Sequence, residues 1–331
     1  MQQLIVFLLF MIYISINNHK KHFTQEEPMA LIDDQDLPLT KHHTRYDAID
    51  PTSTLKGSAS GKVIFITGAS KGIGRATAIA FAEAGAKAVY ITARSEQALK
   101  ETQDLIHQTN SNTQCAYSRC DVTSASQVED TILDCVEKFG SIDVADANAG
   151  YLGPWAKIGE SDPESWWYTW EVNMRGVYHV IRFSIPYLIK SAKKWATKGL
   201  SGGHLILISS LGAQLLIPTA SDYQASKHAI NRLCEFVNVD HGQDGIKCFS
   251  VDPGGVVTDL ALNMPKDMHN FLSDSPDLVA GFIVWLSTGQ ADWAKGRYLS
   301  ANWDVKELTA LKDKILRDNL LVNRLRVCTG S

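Results

Sequence analysis

Short runs of apolar and β-branched residues alternate with longer stretches of helical spacing between residues 62 and 301. Runs that are apolar throughout are typical of strands in a parallel sheet whose two faces are both covered by helices. The pattern therefore predicts an α/β fold with a doubly wound parallel sheet of about seven strands in a single domain. The predicted strands are residues 62–67, 88–92, 113–119, 142–147, 203–210, 246–251 and 297–301.

Helical spacing predicts one long helix over residues 163–189. We expect a kink in it at Pro186, because proline removes a helix hydrogen bond. A last helix is predicted from a cap at Asp304 to residue 322.

Residues 1–57 lie outside this alternation. Residues 4–16 are mostly large and apolar, but a helix of this length measures about 20 Å, short of a hydrocarbon core of about 30 Å. A membrane-associated anchor, a signal and a dispensable extension all stay open; an anchor would leave the following residues in the cytosol. Because residues 17–57 are polar and contain prolines, we interpret them as a linker or wrapping arm before a folded domain of residues 58–331.

The net charge and the cysteine spacing limit the partners, metal sites and cellular compartment that fit this sequence. The net charge is −4 and there is no basic block, which argues against a nucleic-acid partner. The 6 cysteines are scattered and form no Cys-x-x-Cys pair. This favours reduced thiols in a cytoplasmic protein, and argues against a zinc site or other bound metal and against a disulfide framework.

The first strand runs directly into a glycine-rich turn, Gly68-Ala69-Ser70-Lys71-Gly72-Ile73-Gly74, and a stretch of helical spacing follows. Glycines let the backbone approach a pyrophosphate closely, and the helix N-terminus offers N–H donors to it. Strand, turn and helix in this order predict a dinucleotide-binding turn at the start of a Rossmann-type sheet.

The turn resembles that of the short-chain dehydrogenase/reductase family, which reads Thr-Gly-x-x-x-Gly-x-Gly and matches residues 67–74. Four further motifs of that family follow in order. Asn148-Ala149-Gly150 ends the fourth strand, although Asp146 and Ala147 depart from the usual Asn-Asn-Ala-Gly. The others are Asn173, the set of Ser210 with Tyr223 and Lys227, and a Pro-Gly turn at Pro253.

Tyr223 and Lys227 are four residues apart and therefore share one face of a helix. The reference pKa of a phenol is near 10, and an ammonium one turn away is expected to lower it towards the working range. The resemblance implies that Tyr223 exchanges a proton with the substrate and that Lys227 also binds the nicotinamide ribose. It further implies that Ser210 holds the carbonyl oxygen, and that Asn173 bends its helix and supports a proton relay through water.

The second strand ends at Ala93 and Arg94, where an NAD-specific site would place an acid. Arg94 and Lys71 are suited to bind a 2′-phosphate, which favours NADP, while Glu96 leaves NAD open. The resemblance implies contacts of Asp121 with the adenine, of Asn148 with the sheet beside the cofactor, and of the Pro-Gly turn with the nicotinamide. The candidate cofactor-binding residues are Gly68, Ser70, Lys71, Gly72, Ile73, Gly74, Arg94, Asp121, Val122, Asn148, Tyr223, Lys227, Pro253, Gly254, Val256 and Thr258.

Residues 260–275 are rich in apolar side chains and methionine, and the family uses this insert as a substrate lid. We therefore expect an NADP-dependent oxidoreductase that interconverts a carbonyl and an alcohol on a lipophilic small molecule. The family also implies a homodimer or homotetramer. An NAD-dependent alcohol dehydrogenase, an epimerase or dehydratase on the same scaffold, and a nucleotide-binding regulatory module without turnover are the alternatives.

Overall fold

Seven parallel strands form one sheet in the order β3-β2-β1-β4-β5-β6-β7 in the computed structural model, which describes residues 36–325. Every residue of β1, β2, β4 and β5 is buried, because helices cover both faces of the sheet. The predicted doubly wound parallel sheet is confirmed. The strands are β1 (Val63–Thr67), β2 (Ala88–Ala93), β3 (Gln114–Arg119), β4 (Val144–Ala147), β5 (His204–Ile208), β6 (Lys247–Asp252) and β7 (Tyr298–Ser300).

The helices form a layer on each face of the sheet. They are α1 (Gly72–Glu83), α2 (Glu96–Thr109), α3 (Ala125–Phe139), α4 (Pro163–Trp170), α5 (Val177–Ala196), α6 (Ser221–His241), α7 (Pro276–Leu286), α8 (Val305–Ala310) and α9 (Lys312–Arg317). Helices α1, α2 and α7 pack on one face, and α3, α5 and α6 pack on the other. The strand order reverses between β1 and β4, and in such sheets ligands bind at the carboxyl ends of the strands near this point.

The predicted helix over residues 163–189 is interrupted around Asn173, where the resemblance implies a bend. A π-helical turn, Glu171–Gly176, separates α4 from α5, while α5 passes through Pro186 and continues to Ala196. The reason lies in Asn173, whose amide is buried in this turn and bonds to the backbone of Tyr151. The π-helical turn contains one residue more than an α-helical turn, and this directs the Asn173 amide towards Tyr151.

The predicted last helix from Asp304 to residue 322 is also divided. Asp304 caps α8 as expected and accepts hydrogen bonds from the backbone N–H groups of Lys306 and Glu307. The helix breaks at Leu311, α9 ends at Arg317, and the following residues turn back with positive φ at Leu321 (63°).

The described part of the N-terminal region packs against the domain. A 3-10 turn, Asp47–Ile49, buries Ile49 completely against α7. A Cβ on Gly281 would lie 2.4 Å from the Ile49 carbonyl oxygen, so only glycine allows this approach of the two segments. Residues 36–57 therefore contribute side chains to the core.

Within residues 36–325, no helix combines the length and the apolar character that crossing a membrane requires. The apolar run over residues 4–16 lies outside the described residues.

Asp146 occupies the middle of β4, between Ile66 of β1 and Ile206 of β5. It is fully buried, and neither of its carboxylate oxygens has a hydrogen-bond partner. Burial raises the pKa of this carboxyl well above its usual range, because the charged form loses its hydration without compensation. The folded protein therefore favours the protonated form of Asp146 more than the unfolded chain does.

Candidate active site

A cavity of about 950 Å³ opens at the carboxyl ends of the strands. The ends of β1, β2, β4, β5 and β6, together with the start of α6, supply its walls. Two predicted site residues, Gly74 and Asn173, lie behind the wall. The predicted residues that line the cavity are Gly68, Ser70, Lys71, Gly72, Ile73, Arg94, Asp121, Val122, Asn148, Ser210, Tyr223, Lys227, Pro253, Gly254, Val256 and Thr258.

The glycine-rich turn is packed so tightly that no side chain fits at its ends. A Cβ on Gly74 would lie 2.5 Å from Asn148 Nδ2, and Gly68 has a φ of +67° that favours glycine. Asn148 Nδ2 donates to the carbonyl oxygens of Thr67 (2.8 Å) and Gly68 (3.2 Å) and so ties β4 to the turn.

Helix α1 begins at this turn, and no side chain caps its N-terminus. In contrast, Ser95 and Ser124 cap α2 and α3 with hydrogen bonds to backbone N–H groups. An uncapped N-terminus facing a cavity offers its N–H groups and its positive dipole end to an anion. The turn therefore fits the pyrophosphate of a dinucleotide.

Tyr223 and Lys227 lie one turn apart on α6, with Lys227 Nζ 5.6 Å from the centroid of the Tyr223 ring. Lys227 is 3 % exposed, and its ammonium donates to the Ile208 carbonyl oxygen at 2.7 Å. The Ser210 hydroxyl oxygen accepts from the Gly212 N–H at 3.0 Å. The three side chains border the same part of the cavity, and the hydrogen bonds of Ser210 and Lys227 fix two of them.

The pKa of Tyr223 differs from the expectation. It is raised to about 12, chiefly by burial; the hydrogen bond with Ser210 opposes this rise, and the charge of Asp252 adds to it. The predicted lowering by Lys227 is not present, since Lys227 is itself buried and directs its ammonium to a carbonyl. Burial also lowers the pKa of Lys227 to about 8, so that its positive charge is present below that pH and is lost above it.

Asn173 acts from behind the cavity wall. Its Oδ1 accepts from the Tyr151 N–H at 2.8 Å, and its Nδ2 donates to the Tyr151 carbonyl at 2.9 Å and to Ser226 Oγ at 3.1 Å. A Cβ on Gly150 would lie 3.6 Å from both Asn173 Oδ1 and Lys227 Nζ, so these two groups approach the same backbone position. Asn173 thereby fixes the wall opposite Lys227.

The two basic residues predicted to bind a 2′-phosphate are both exposed at the cavity. Arg94 Nη1 donates to the hydroxyl of Tyr168 at 3.2 Å. Lys71 forms an ion pair with Asp259. Asp259 directly precedes residues 260–275, which we call the substrate loop. Exposed pairs of this kind are weak, so either side chain is able to exchange its partner for a phosphate.

Asp121 lies at the carboxyl end of β3. Its Oδ1 accepts from the backbone N–H (3.0 Å) and the hydroxyl (2.8 Å) of Thr123. The helix cap that follows is Ser124, so Asp121 shapes the loop and does not cap α3 itself.

Sequence reasoning missed two buried acids beside the Pro-Gly turn. Asp252 Oδ1 accepts from the Leu211 N–H at 2.8 Å and Oδ2 from Ser300 Oγ at 2.9 Å, which ties the ends of β5, β6 and β7 together. Asp274 Oδ2 accepts from the Gly255 N–H at 2.6 Å. Asp252 stands next to the motif and could have been found there, whereas Asp274 carries no sequence signal.

The wall of the cavity beyond Tyr223 is apolar and aromatic. Between residues 151 and 224, and again between 260 and 272, the described lining includes no charged side chain. Two loops of this wall are joined where the Thr219 carbonyl accepts from the Ala156 N–H at 2.8 Å, and Thr219 has a φ of +72°, unfavourable for a β-branched residue. The apolar lining residues are Leu152, Trp155, Leu211, Leu215, Ile217, Leu260, Met264, Met268, Phe271 and Leu272.

Fold and site together define a dinucleotide-binding α/β enzyme, and comparison with known proteins gives its family. Residues 62–269 match the family model for short chain dehydrogenase. A short chain dehydrogenase of Monascus purpureus, mpl6, is 40 % identical over 285 residues, which cover 85 % of this chain and 94 % of that protein. The short chain dehydrogenase pigC of Monascus ruber is 36 % identical, with 87 % and 93 % of the two chains covered.

Solved structures of reductases share the fold of this chain. The NADH-dependent reductase A1-R′, complexed with NAD, superimposes with a TM-score of 0.64 at 25 % identity and covers 74 % of this chain and 96 % of its own. Levodione reductase superimposes with a TM-score of 0.67 at 22 % identity over 76 % of this chain and 98 % of its own, which shows the shared fold.

The chain therefore belongs to the short-chain dehydrogenase/reductase family and is an oxidoreductase of CH–OH and carbonyl groups.

Proposed function

We propose that the protein reduces a ketone or aldehyde on a lipophilic small molecule with NADPH, and catalyses the reverse oxidation of the alcohol. The observation that carries this proposal is the meeting of Ser210, Tyr223 and Lys227 at one cavity that also holds the glycine-rich turn. The same cavity thus has a place for a dinucleotide and a proton donor beside it.

Tyr223 is the general acid in this mechanism. Its pKa of about 12 keeps the phenol protonated at neutral pH, which is the form that reduction requires. The bound nicotinamide supplies the hydride that reaches the carbonyl carbon. Ser210 donates a hydrogen bond to the carbonyl oxygen, and Tyr223 passes its proton to that oxygen as negative charge develops there. In the oxidation direction the phenolate form of Tyr223 would accept the proton of the alcohol hydroxyl.

Asn173 and Lys227 hold this arrangement in place. Asn173 fixes the backbone of Tyr151 and, through Ser226, the first turns of α6 that carry Tyr223. Lys227 would bind the nicotinamide ribose when the cofactor is present, and Asn173 would support a proton relay through water. Positioning of this kind lowers the entropic part of the barrier.

Arg94 is the residue that we expect to select NADPH. It is exposed at the carboxyl end of β2 and lines the cavity, and a guanidinium binds a phosphate with two parallel hydrogen bonds. Glu96 and the similarity to a reductase described as NADH-dependent support NAD as the alternative cofactor. The two cofactors differ only in the 2′-phosphate, so a single substitution separates them.

Arg94→Ala is expected to weaken NADPH binding about tenfold to a hundredfold and NADH binding less than threefold, because a charge-assisted pair contributes ~1.5–3 kcal/mol. Fluorescence titration of both cofactors measures the two dissociation constants. Arg119→Ala is the matched control, since Arg119 is exposed at the end of the neighbouring strand but does not line the cavity. Equal losses for NADPH and NADH in Arg94→Ala would reject the 2′-phosphate role.

The walls of the cavity support a lipophilic substrate. Apolar and aromatic side chains surround the space beyond Tyr223, and Met264 and Met268 from the substrate loop add flexible, polarisable surface. A pocket of this kind binds ring systems and apolar chains by burying their surface. The substrate carbonyl would lie against Ser210 and Tyr223, with the rest of the molecule along these walls.

Exposed apolar side chains on α3, α4 and α5 support assembly into a homodimer or homotetramer. Trp167 is 60 % exposed, Tyr178 51 % and Leu133 48 %. Apolar groups that cluster on neighbouring helices are typical of a subunit interface. We further propose that the protein works in the cytoplasm, where the free thiols found in the described residues would persist.

A further inference from the structure

The chain before residue 62, where the family match begins, reaches the active-site cavity. Asp36, Lys41 and His43 all line the cavity, although no sequence motif pointed to them. We call residues 40–43 the arm. Its side chains and backbone contact the Pro-Gly turn of the site through two intermediate residues, Asp274 and Asn302.

Asp274 is the first of these residues. It is 8 % exposed, and His43 Nδ1 lies 2.5 Å from its Oδ1. Its other oxygen, Oδ2, accepts from the Gly255 N–H at 2.6 Å. The His43 carbonyl also accepts from the Ser275 N–H at 2.8 Å, so that the arm holds the backbone next to Asp274 as well as its side chain.

Asn302 is the second. Its Nδ2 donates to the His42 carbonyl at 2.8 Å, and its own carbonyl accepts from the His42 N–H at 2.8 Å. Both Asp274 and Asn302 press against Gly254. A Cβ on Gly254 would lie 2.4 Å from Asp274 Oδ2 and 2.8 Å from Asn302 Oδ1. The two side chains that shape the turn at Gly254 are therefore each held by the arm.

The arm is itself anchored. The backbone N–H and the hydroxyl of Thr40 donate to the two carboxylate oxygens of Glu307 at 2.7 and 2.8 Å. Lys41 pairs with Trp303 in an antiparallel bridge, and His42 Nε2 lies 2.9 Å from Asp304. An arm fixed at this many points is able to hold the turn rigidly.

We propose that the arm is a positioning element of the active site, which sets the backbone of the turn at Pro253–Val256 through Asp274 and Asn302. The inference rests on the proposed function, in which this turn meets the nicotinamide half of the cofactor. His43 is a positioning residue, because it touches Asp274 and not the reacting atoms. The arm also fixes residue 275, the end of the substrate loop, and so couples that loop to the cofactor turn.

If the arm sets this turn, its loss should weaken binding of the nicotinamide half of the cofactor and spare the adenosine half. The turn lies at the end of β6, whereas the adenosine half would lie at the end of β2, and β1, β4 and β5 separate the two strands. Loss of the arm's hold is therefore expected to disturb the nicotinamide half alone. A purely structural role would weaken both halves in the same proportion.

The test uses the full chain with His43→Ala. We expect the dissociation constant for NADPH to rise about tenfold, while that for adenosine 2′,5′-bisphosphate, which lacks the nicotinamide half, stays within twofold. His43→Asn should restore NADPH binding to within threefold, since the asparagine amide nitrogen takes the place of Nδ1. Asn302→Ala is a second variant with the same expected selectivity.

Arg45→Ala is the matched control. Arg45 lies just after the arm and outside the cavity, and its removal breaks the ion pair with Glu83 (2.6 Å) but leaves the side chain of His43 on Asp274. It should leave NADPH binding within twofold. Unchanged NADPH binding in His43→Ala and Asn302→Ala would overturn the inference about the arm, and so would equal weakening of NADPH and adenosine 2′,5′-bisphosphate binding. Either result would leave the proposed function standing. Failure of the unmodified protein to bind either nicotinamide cofactor would overturn the proposed function and the inference with it.

Discussion

Replacing Tyr223 with phenylalanine should lower the rate of carbonyl reduction at least about a hundredfold and leave NADPH affinity nearly unchanged. The substitution removes the hydroxyl that we assign as the proton donor to the substrate oxygen. It keeps the ring that packs 5.6 Å from Lys227 Nζ, so the cavity and the cofactor turn retain their shape. The fall should therefore appear in kcat, with little change in the dissociation constant for NADPH.

The measurement combines stopped-flow or steady-state reduction rates with cofactor titration of the same preparation. Tyr178→Phe is the control, since Tyr178 is half exposed on α5 and lies outside the cavity. A Tyr223→Phe protein within a few-fold of the parent rate would remove Tyr223 from the mechanism.

Asp146→Val should stabilise the protein by ~2–4 kcal/mol at pH 7, because it removes a buried carboxyl that has no hydrogen-bond partner. For a domain of this size the melting temperature should rise by roughly 4–8 °C. Valine is similar in size and suits the strand, where Ile66 and Ile206 flank the position. Calorimetry or thermal unfolding followed by circular dichroism gives the change directly.

The pH dependence of the stability tests whether the buried Asp146 carboxyl is the cause of the gain. The pKa of Asp146 is raised in the folded state, so its protonated form favours folding below the unfolded pKa near 4, and stability is lost as the pH rises above that value. The loss reaches about 1.4 kcal/mol per pH unit until the folded pKa is passed. The advantage of Asp146→Val should therefore grow as the pH rises from the unfolded pKa towards the raised folded pKa.

Asp146→Asn separates the two contributions, because it removes the titration and keeps an unpartnered polar group. It should flatten the pH dependence while stabilising less than Asp146→Val. Asp130→Asn, at an exposed position on α3, is the control and should change neither quantity. An Asp146→Val protein that is less stable than the parent at pH 7 would show that the carboxyl has a partner the structure does not reveal.

Local pattern predicted the sheet well. Each of the seven predicted strands overlaps an observed strand, and Asp304 caps a helix as predicted. Strand runs and helix caps depend on neighbouring residues, and so they can be read from the sequence.

Features set by distant contacts could not be predicted from the local pattern. The break in the long helix follows from hydrogen bonds between Asn173 and Tyr151, 22 positions away, and only the family resemblance implied a bend there. His43 and Asp274 are 231 positions apart, and nothing near either of them indicates the pair. The pKa of Tyr223 depends on how deeply the fold buries the phenol, which no spacing of Tyr and Lys encodes.

The most direct test of the central claim is reduction by the full chain, since residues 36–57 are part of the fold. The protein is titrated with NADPH and NADH, and the absorbance of the reduced nicotinamide is then followed over a panel of lipophilic ketones and aldehydes. We expect tighter binding of NADPH than of NADH, and loss of the reduced-nicotinamide absorbance with some members of the panel. Tight cofactor binding with no change in absorbance on any carbonyl, or on any alcohol with the oxidised cofactor, would contradict it.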